Sequence, residues 1–187
     1  MEDPDLPGAW AKIPALLKYL PRYDWIWCTD IDLIITNRLL SIEEHALRGV
    51  PADKHIVAAQ DCFAINMGSF FIRNSRPALR FLAAVHAMRR NASIPNYDVW
   101  YENAAVVQLV HDNVDGAAEL FHLVPQRYFN AYYSPSTHLY GSEPPDCGDR
   151  FWQVGDFALH FPGQADKTEA WASVLEEGGE ELRQLLP

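Results

Sequence analysis

Asp30-Ile31-Asp32 follows directly on Asp24–Thr29 (DWIWCT), an aromatic and apolar run of strand length. Both carboxylates therefore fall at or just past the carboxyl end of a buried strand, the edge at which open α/β sheets bind their ligands. Two acids one residue apart at such a transition can turn toward one pocket, either both onto a hard cation or one onto the cation and one onto a ligand hydroxyl. The same spacing also occurs as two solvated loop acids, so the pair by itself decides nothing. The buried strand before it delivers both acids to a fixed place and favours the pocket. Charge points the same way. With 15 Lys plus Arg against 25 Asp plus Glu the chain carries a formal −10, and an acidic protein that handles an anionic phosphate needs a cation to reconcile the charges. No basic run or basic helix face is present, which argues against a nucleic-acid backbone as partner.

The elements that must hold this pair are read from periodicity and punctuation. A length of 187 residues with 49% hydrophobic content suffices for one domain with a proper core. Residues 9–20 (AWAKIPALLKYL) are apolar at helical spacing and are closed by Pro21, which predicts a short amphipathic helix against a sheet. Ser41-Ile42-Glu43-Glu44 fits a capping box before a short helix to Arg48, and His55–Ala59 reads as a second strand. Asn66-Met67-Gly68-Ser69 has turn composition and is expected to be a loop feeding the strand Phe70–Arg73. Ser75, with Pro77 just inside, starts a helix over Ala78–Arg90, and a second long helix over Val99–His111 follows the Pro95-Asn96 break. Phe121–Val124 is strand-like, and Gln126–Gly148, rich in Tyr, Ser, Pro and Gly, predicts a long surface loop of the kind that shapes binding sites. Phe151–Phe161 predicts an apolar strand ending on His160, and the tail from Lys167 predicts a helix interrupted by Gly178-Gly179.

Other chemistries find less support. Cys28, Cys62 and Cys147 lack any CxxC spacing, so no structural zinc site is expected and at most one intrachain disulfide can form. His86, His111, Cys62 and the remaining acids show no spacing that pairs a nucleophile with a base. No basic region leads into an apolar stretch at the amino terminus, and no run approaches membrane-spanning length. The chain as written is thus expected to be soluble, with no export signal and no transmembrane segment.

Three stretches in order, Tyr23–Asn37 (YDWIWCTDIDLIITN), Asn66–Asn74 (NMGSFFIRN) and Asp156–Gly163 (DFALHFPG), resemble the galactosyl, mannosyl and xylosyl transferases of glycosyltransferase family 34. Trp100–Ala105 (WYENAA) and Pro125–Tyr132 (PQRYFNAY) are looser matches between them, so the resemblance spans nearly the whole chain. It implies an α/β fold of the GT-A type, a mixed sheet flanked by helices, with manganese as cofactor. It further implies transfer of a hexose or pentose from a UDP- or GDP-sugar donor to a hydroxyl of a glycan or glycoprotein acceptor, with retention of configuration, alpha-galactosyl or alpha-mannosyl transfer foremost. Residence at the Golgi membrane belongs to the same implication.

Carried over residue by residue, the resemblance makes Asp30 and Asp32 the metal-binding pair and His160 the remaining protein ligand. An ion so held leaves positions for two phosphate oxygens and stabilises charge growing on a diphosphate leaving group. Asn66, Gly68 and Ser69 are implied beside the reacting sugar, where glycine admits close backbone approach and an amide binds hydroxyls. Lys167 is implied as a phosphate partner, and Glu102 and Asn103 stand near the transfer site, where the family has an acid followed by Gln. The implied mechanism is front-face displacement, in which the leaving diphosphate helps deprotonate the incoming hydroxyl and the protein supplies orientation and electrostatics. On residue type alone, His160 also fits a core histidine of an apolar strand, Asn66 and Gly68 also fit a backbone turn, and glutamates and lysines placed like Glu102 and Lys167 are more commonly solvated.

A full domain of this kind begins with a strand-helix-strand unit that binds the nucleotide base, whereas here the acidic pair is already at residue 30. The expectation is therefore a single domain over residues 1–187, shortened at its amino terminus and lacking the usual nucleotide-binding portion. Two alternatives follow. One is a non-catalytic carbohydrate-binding or interaction fragment of the same fold. The other is a metal-dependent phosphohydrolase, whose Asp-x-Asp motif wants Thr or Val where this chain has Ile34.

Overall fold

The computed structural model describes residues 5–133 and 149–186. The chain divides into two compact units, Met1–Cys28 with Val50–Ala58 and Phe70–His122, and Thr29–Gly49 with Ala59–Ser69 and Leu123–Pro187. Strands β1 (Trp25–Thr29), β3 (Ile56–Gln60), β4 (Ile65–Arg73) and β5 (Phe121–Val124) form one sheet in the order β1-β4-β3-β5. Ile56 to Ala59 of β3 are wholly buried, as a continuous apolar run in a covered strand requires.

The first unit is built on helices. α1 (Lys12–Tyr19) buries Ile13 and Leu16, and α2 (Arg76–Ala87) buries Ala78, Phe81, Leu82 and Val85, each set at helical spacing. Ser75 caps α2 as expected, its Oγ accepting from the Ala78 N–H at 3.3 Å. The expected helix over Val99–His111 is instead two, α3 (Tyr97–Trp100) and α4 (Glu102–His111), separated by Tyr101 at φ 51° and ψ −121°. The apolar periodicity runs on across this residue, so the pattern hides a backbone break. Glu102 opens α4 buried, with its Oε1 2.5 Å from Lys12 Nζ.

The second unit holds a three-stranded sheet in the order β2-β7-β6, from β2 (Leu33–Ile35), β6 (Ala131–Tyr132) and β7 (Ala158–His160). β7 pairs antiparallel with β2, His160 opposite Leu33, and parallel with β6, His160 beside Tyr132. Alternation along β7 sends Leu159, with the adjoining Phe161, into a core with Ala170, Val174 and Leu182 of α5 (Lys167–Leu185). α5 is broken at Gly179, φ 53° and ψ −141°, where the sequence places its interruption.

Three further expectations differ from the structure. Asn66-Met67-Gly68-Ser69 is not a loop but the first half of β4, which lies between β1 and β3. Turn-forming residue types are overridden there by pairing on both sides. Strand structure over Phe151–Phe161 is confined to Ala158–His160, because Thr36 Oγ1 and Asn37 Nδ2 hold the carbonyls of Asp156 and Gly155 in a turn, at 2.8 and 2.7 Å. Arg127 closes the same turn with two hydrogen bonds to the Asp156 carboxylate, 2.9 and 2.8 Å. β6 emerges within the expected loop over Gln126–Gly148, whose residues 134–148 lie outside the described residues.

The Lys12–Glu102 pair yields a stability prediction. Removing the cation takes a charged partner from a buried carboxylate, so Lys12→Met should cost about 3 kcal/mol. The measurement is calorimetric unfolding at neutral pH, and a double Lys12→Met, Glu102→Leu variant should recover much of the loss.

Candidate metal centre

The register of the small sheet assembles the centre. Asp32 immediately precedes β2 and its carbonyl accepts from the Phe161 N–H at 3.0 Å, one residue past the end of β7. Asp30 leaves β1 with its N–H bonded to the Gly68 carbonyl at 2.7 Å. Asp30, Asp32 and His160 thereby bring one ligand atom each within 4.8 Å of one another.

His160 is 2% exposed, and its Nε2 lies 3.3 Å from Asp32 Oδ1 and 3.8 Å from Asp30 Oδ2. Neither approach has hydrogen-bond geometry, so Nε2 is a buried ring nitrogen with no hydrogen-bond partner, directed at two carboxylates. On the other side of the ring, Nδ1 is hydrogen-bonded to Asn130 Oδ1 at 2.8 Å. Burial pushes the Asp32 carboxyl up, while a protonated His160 imidazole, the aspartate's own backbone N–H and the Lys167 ammonium pull it down, so that with the ring charged Asp32 sits below the usual carboxylate range. Lys167, the first residue of α5, places Nζ 3.5 Å from Asp32 Oδ2 and donates to the Gln164 carbonyl at 2.9 Å.

Gly68 explains how so buried a ring fits. A Cβ at this position would lie 2.4 Å from His160 Cε1, 2.9 Å from Asn66 Oδ1 and 3.1 Å from Asp30 Oδ2. Glycine inside a strand is unfavourable for the strand itself and marks close approach by something else; here that is the imidazole. Asn66 accepts from the Gly68 N–H through Oδ1 at 2.8 Å, and Ser69 is fully buried.

Of the residues singled out in the sequence, Asp30, Asp32, His160, Gly68, Asn66 and Lys167 thus meet in one network within the second unit. Glu102 and Asn103 belong to the first, Glu102 in its ion pair and Asn103 half-buried on α4. Asn130 is the residue that sequence reasoning missed. It stands inside the PQRYFNAY stretch, but an asparagine in a loop-like segment gives no sign of the histidine it will bind. Two carboxylates and one imidazole, with an unsatisfied buried nitrogen among them, form a donor set that suits a divalent cation.

The model of the galactosyl transferase GMA12/MNN10 family matches residues 1–50 and 48–170. A probable alpha-1,2-galactosyltransferase of Schizosaccharomyces pombe is 25% identical over 193 residues, covering 84% of this chain and 54% of its own length. A probable xyloglucan 6-xylosyltransferase of Arabidopsis thaliana is 25% identical over 190 residues, covering 86% of this chain and 40% of its own. The chain spans about half the length of the yeast relatives it matches. Among solved structures, a glycosyltransferase involved in the glycosylation of the major capsid of PBCV-1 superposes with a TM-score of 0.62 at 14% identity, over 94% of this chain and 81% of that one. This likeness establishes the α/β fold of mixed sheets flanked by helices.

Gly68→Ala is the sharpest probe of the arrangement. The added methyl has no room beside His160, so any divalent-cation affinity of the centre, measured by calorimetric titration, should fall at least about tenfold, as when the support of a ligating histidine is lost. The circular dichroism spectrum should remain that of the parent.

Proposed function

Because the chain belongs to the galactosyl transferase GMA12/MNN10 family, we propose that it takes part in metal-dependent transfer of a sugar from a nucleotide-diphosphate donor to a glycan hydroxyl. The observation that carries this reading is the meeting of Asp30, Asp32 and the unsatisfied Nε2 of His160 at one point. Manganese is the proposed ion, held by those three residues. Bound there, a divalent cation neutralises negative charge on a diphosphate as the bond to the sugar breaks.

The chain's own residues have separable tasks. Asp30 and Asp32 supply fixed negative charge, and His160 supplies a neutral third donor that adds none. Lys167 contributes a second cation beside Asp32, positioned to pair with a phosphate oxygen once a ligand competes for it. Burial of His160 and the partial burial of Asp32 keep this charge pattern in a poorly solvated place, where preorganised groups act most strongly. Ser69 and Gly68 are proposed to shape the donor side of the site. Glu102 and Asn103 are proposed at the transfer step, a role carried by the family resemblance.

Retention of configuration, a UDP- or GDP-sugar donor, galactosyl or mannosyl transfer, and a glycan or glycoprotein acceptor complete the proposal. The relatives named above as alpha-1,2-galactosyltransferase and xylosyltransferase support a sugar nucleotide in general. Golgi residence is proposed on the same ground; among the described residues no helix is long and apolar enough to cross a membrane.

The test is titration of UDP and GDP into the protein with and without manganese, followed by release of sugar from the matching donor. One nucleotide should bind only with metal. Asp30→Ala with Asp32→Ala should abolish that binding and lower turnover by more than about a hundredfold. Absence of binding under every condition would refute transfer by this chain and favour the non-catalytic, glycan-binding alternative.

A further inference from the structure

Asn66 stands in the sequence as a candidate sugar contact, yet its side chain is already saturated. A primary amide offers two acceptor sites and two donor hydrogens. Asn66 Oδ1 accepts from the Gly68 N–H at 2.8 Å and from Asn130 Nδ2 at 3.0 Å. Its Nδ2 donates to Asp61 Oδ2 at 3.1 Å and to the Tyr132 hydroxyl at 2.6 Å. All four positions are filled by the protein.

The direction of these bonds is forced. The Gly68 backbone N–H can only donate, so the Asn66 atom facing it is the oxygen. The Asp61 carboxylate accepts as well from the N–H groups of Phe63 and Ala64, at 2.8 and 3.0 Å, and from the Tyr132 hydroxyl at 2.8 Å. The Asn66 atom facing it is therefore the NH2 group. With Asn66 Oδ1 turned to Asn130, Asn130 must present its NH2 there and its Oδ1 to His160 Nδ1. An oxygen facing Nδ1 requires the ring proton to be on Nδ1.

Taken alone, the negative charge of the two carboxylates would draw that proton to the other nitrogen, since Nε2 lies 3.3 Å from Asp32 Oδ1. The network opposes this choice. We infer that Asn66 is a positioning residue which, through Asn130, locks His160 as the Nδ1–H tautomer, so that Nε2 turns its lone pair to Asp30 and Asp32 and stands ready for a cation. This assignment builds on the proposed metal site, but the tautomer is a property of the metal-free protein. It moves Asn66 from sugar contact to support of the metal ligand, and it gives Asp61 a function as the anchor of the relay.

The experiment is a long-range proton–nitrogen correlation spectrum of 15N-labelled, metal-free protein, with the His160 ring assigned by its loss in His160→Gln. At a pH where the ring is neutral, the wild type should carry its single ring proton on Nδ1, with Nε2 unprotonated. In Asn66→Ala the Asn130 amide is released to turn over, the ring should shift toward the Nε2–H form, and manganese affinity should fall roughly 10–100-fold. Tyr132→Phe, which leaves the Asn66–Asn130 bond in place, should keep the wild-type tautomer. A neutral wild-type ring carrying its proton on Nε2 overturns the inference whether or not any variant folds. So does a folded Asn66→Ala that keeps both tautomer and manganese affinity and loses only donor binding, since that is the behaviour of a sugar contact. Failure of the wild-type protein to bind manganese would refute the metal reading, and the ring's tautomer would still decide this one.

Discussion

A histidine 2% exposed, with one ring nitrogen turned toward two carboxylates and bonded to neither, is sustained only by structure built for it. The second unit supplies that structure. Its small sheet sets His160 between Leu33 and Tyr132, and the strand following Asp32 carries that acid to the ring. Gly68 leaves the space the ring occupies, and Asn130 holds the far nitrogen. The hydrophobic face of the same sheet, through Leu159 and Phe161 against α5, fixes the height at which the ring stands. Packing on one face of β7 and chemistry on the other are two consequences of one alternation.

Charge is handled in the same economical way. The chain is strongly acidic, and its cations near the centre are few and placed. Lys167 lies against Asp32, while Arg127 is committed to Asp156 and Asp149, bonds that outweigh its burial and tighten its hold on its proton. The Arg127 clamp secures the turn before β7 and so supports the register without entering the centre. A divalent ion bound there would supply positive charge where the protein's own cations do not, which is how an acidic site accommodates an anionic ligand.

Much of this was legible in advance for identifiable reasons. DWIWCT is apolar and bounded, so β1 and the position of the acids after it were plain. Ser75 with Pro77 and the Gly178-Gly179 pair are punctuation with a single physical reading, and the helix start and the break both fall there. The misreadings also have causes. NMGS carries turn-forming residues into a strand held by neighbours on both sides, and the reason for its glycine is an imidazole that lies 92 positions later in the chain. β2 and β6 are three and two residues long and exist by pairing with β7, so no local pattern marks them. The roles of Asn130 and Asp61 depend on hydrogen bonds spanning 30 and 71 residues, to His160 and from Tyr132. Residue type could suggest the candidate metal ligands; only the fold brings them together and reveals what orients them.

The central claim is that Asp30, Asp32 and His160 hold one divalent ion between them. Pulsed electron paramagnetic resonance on the manganese-loaded protein addresses it directly, because a coordinated imidazole nitrogen modulates the echo. The account predicts modulation from a single histidine nitrogen that disappears in His160→Gln. Manganese bound through oxygen ligands alone, with a spectrum unchanged by that substitution, would contradict it.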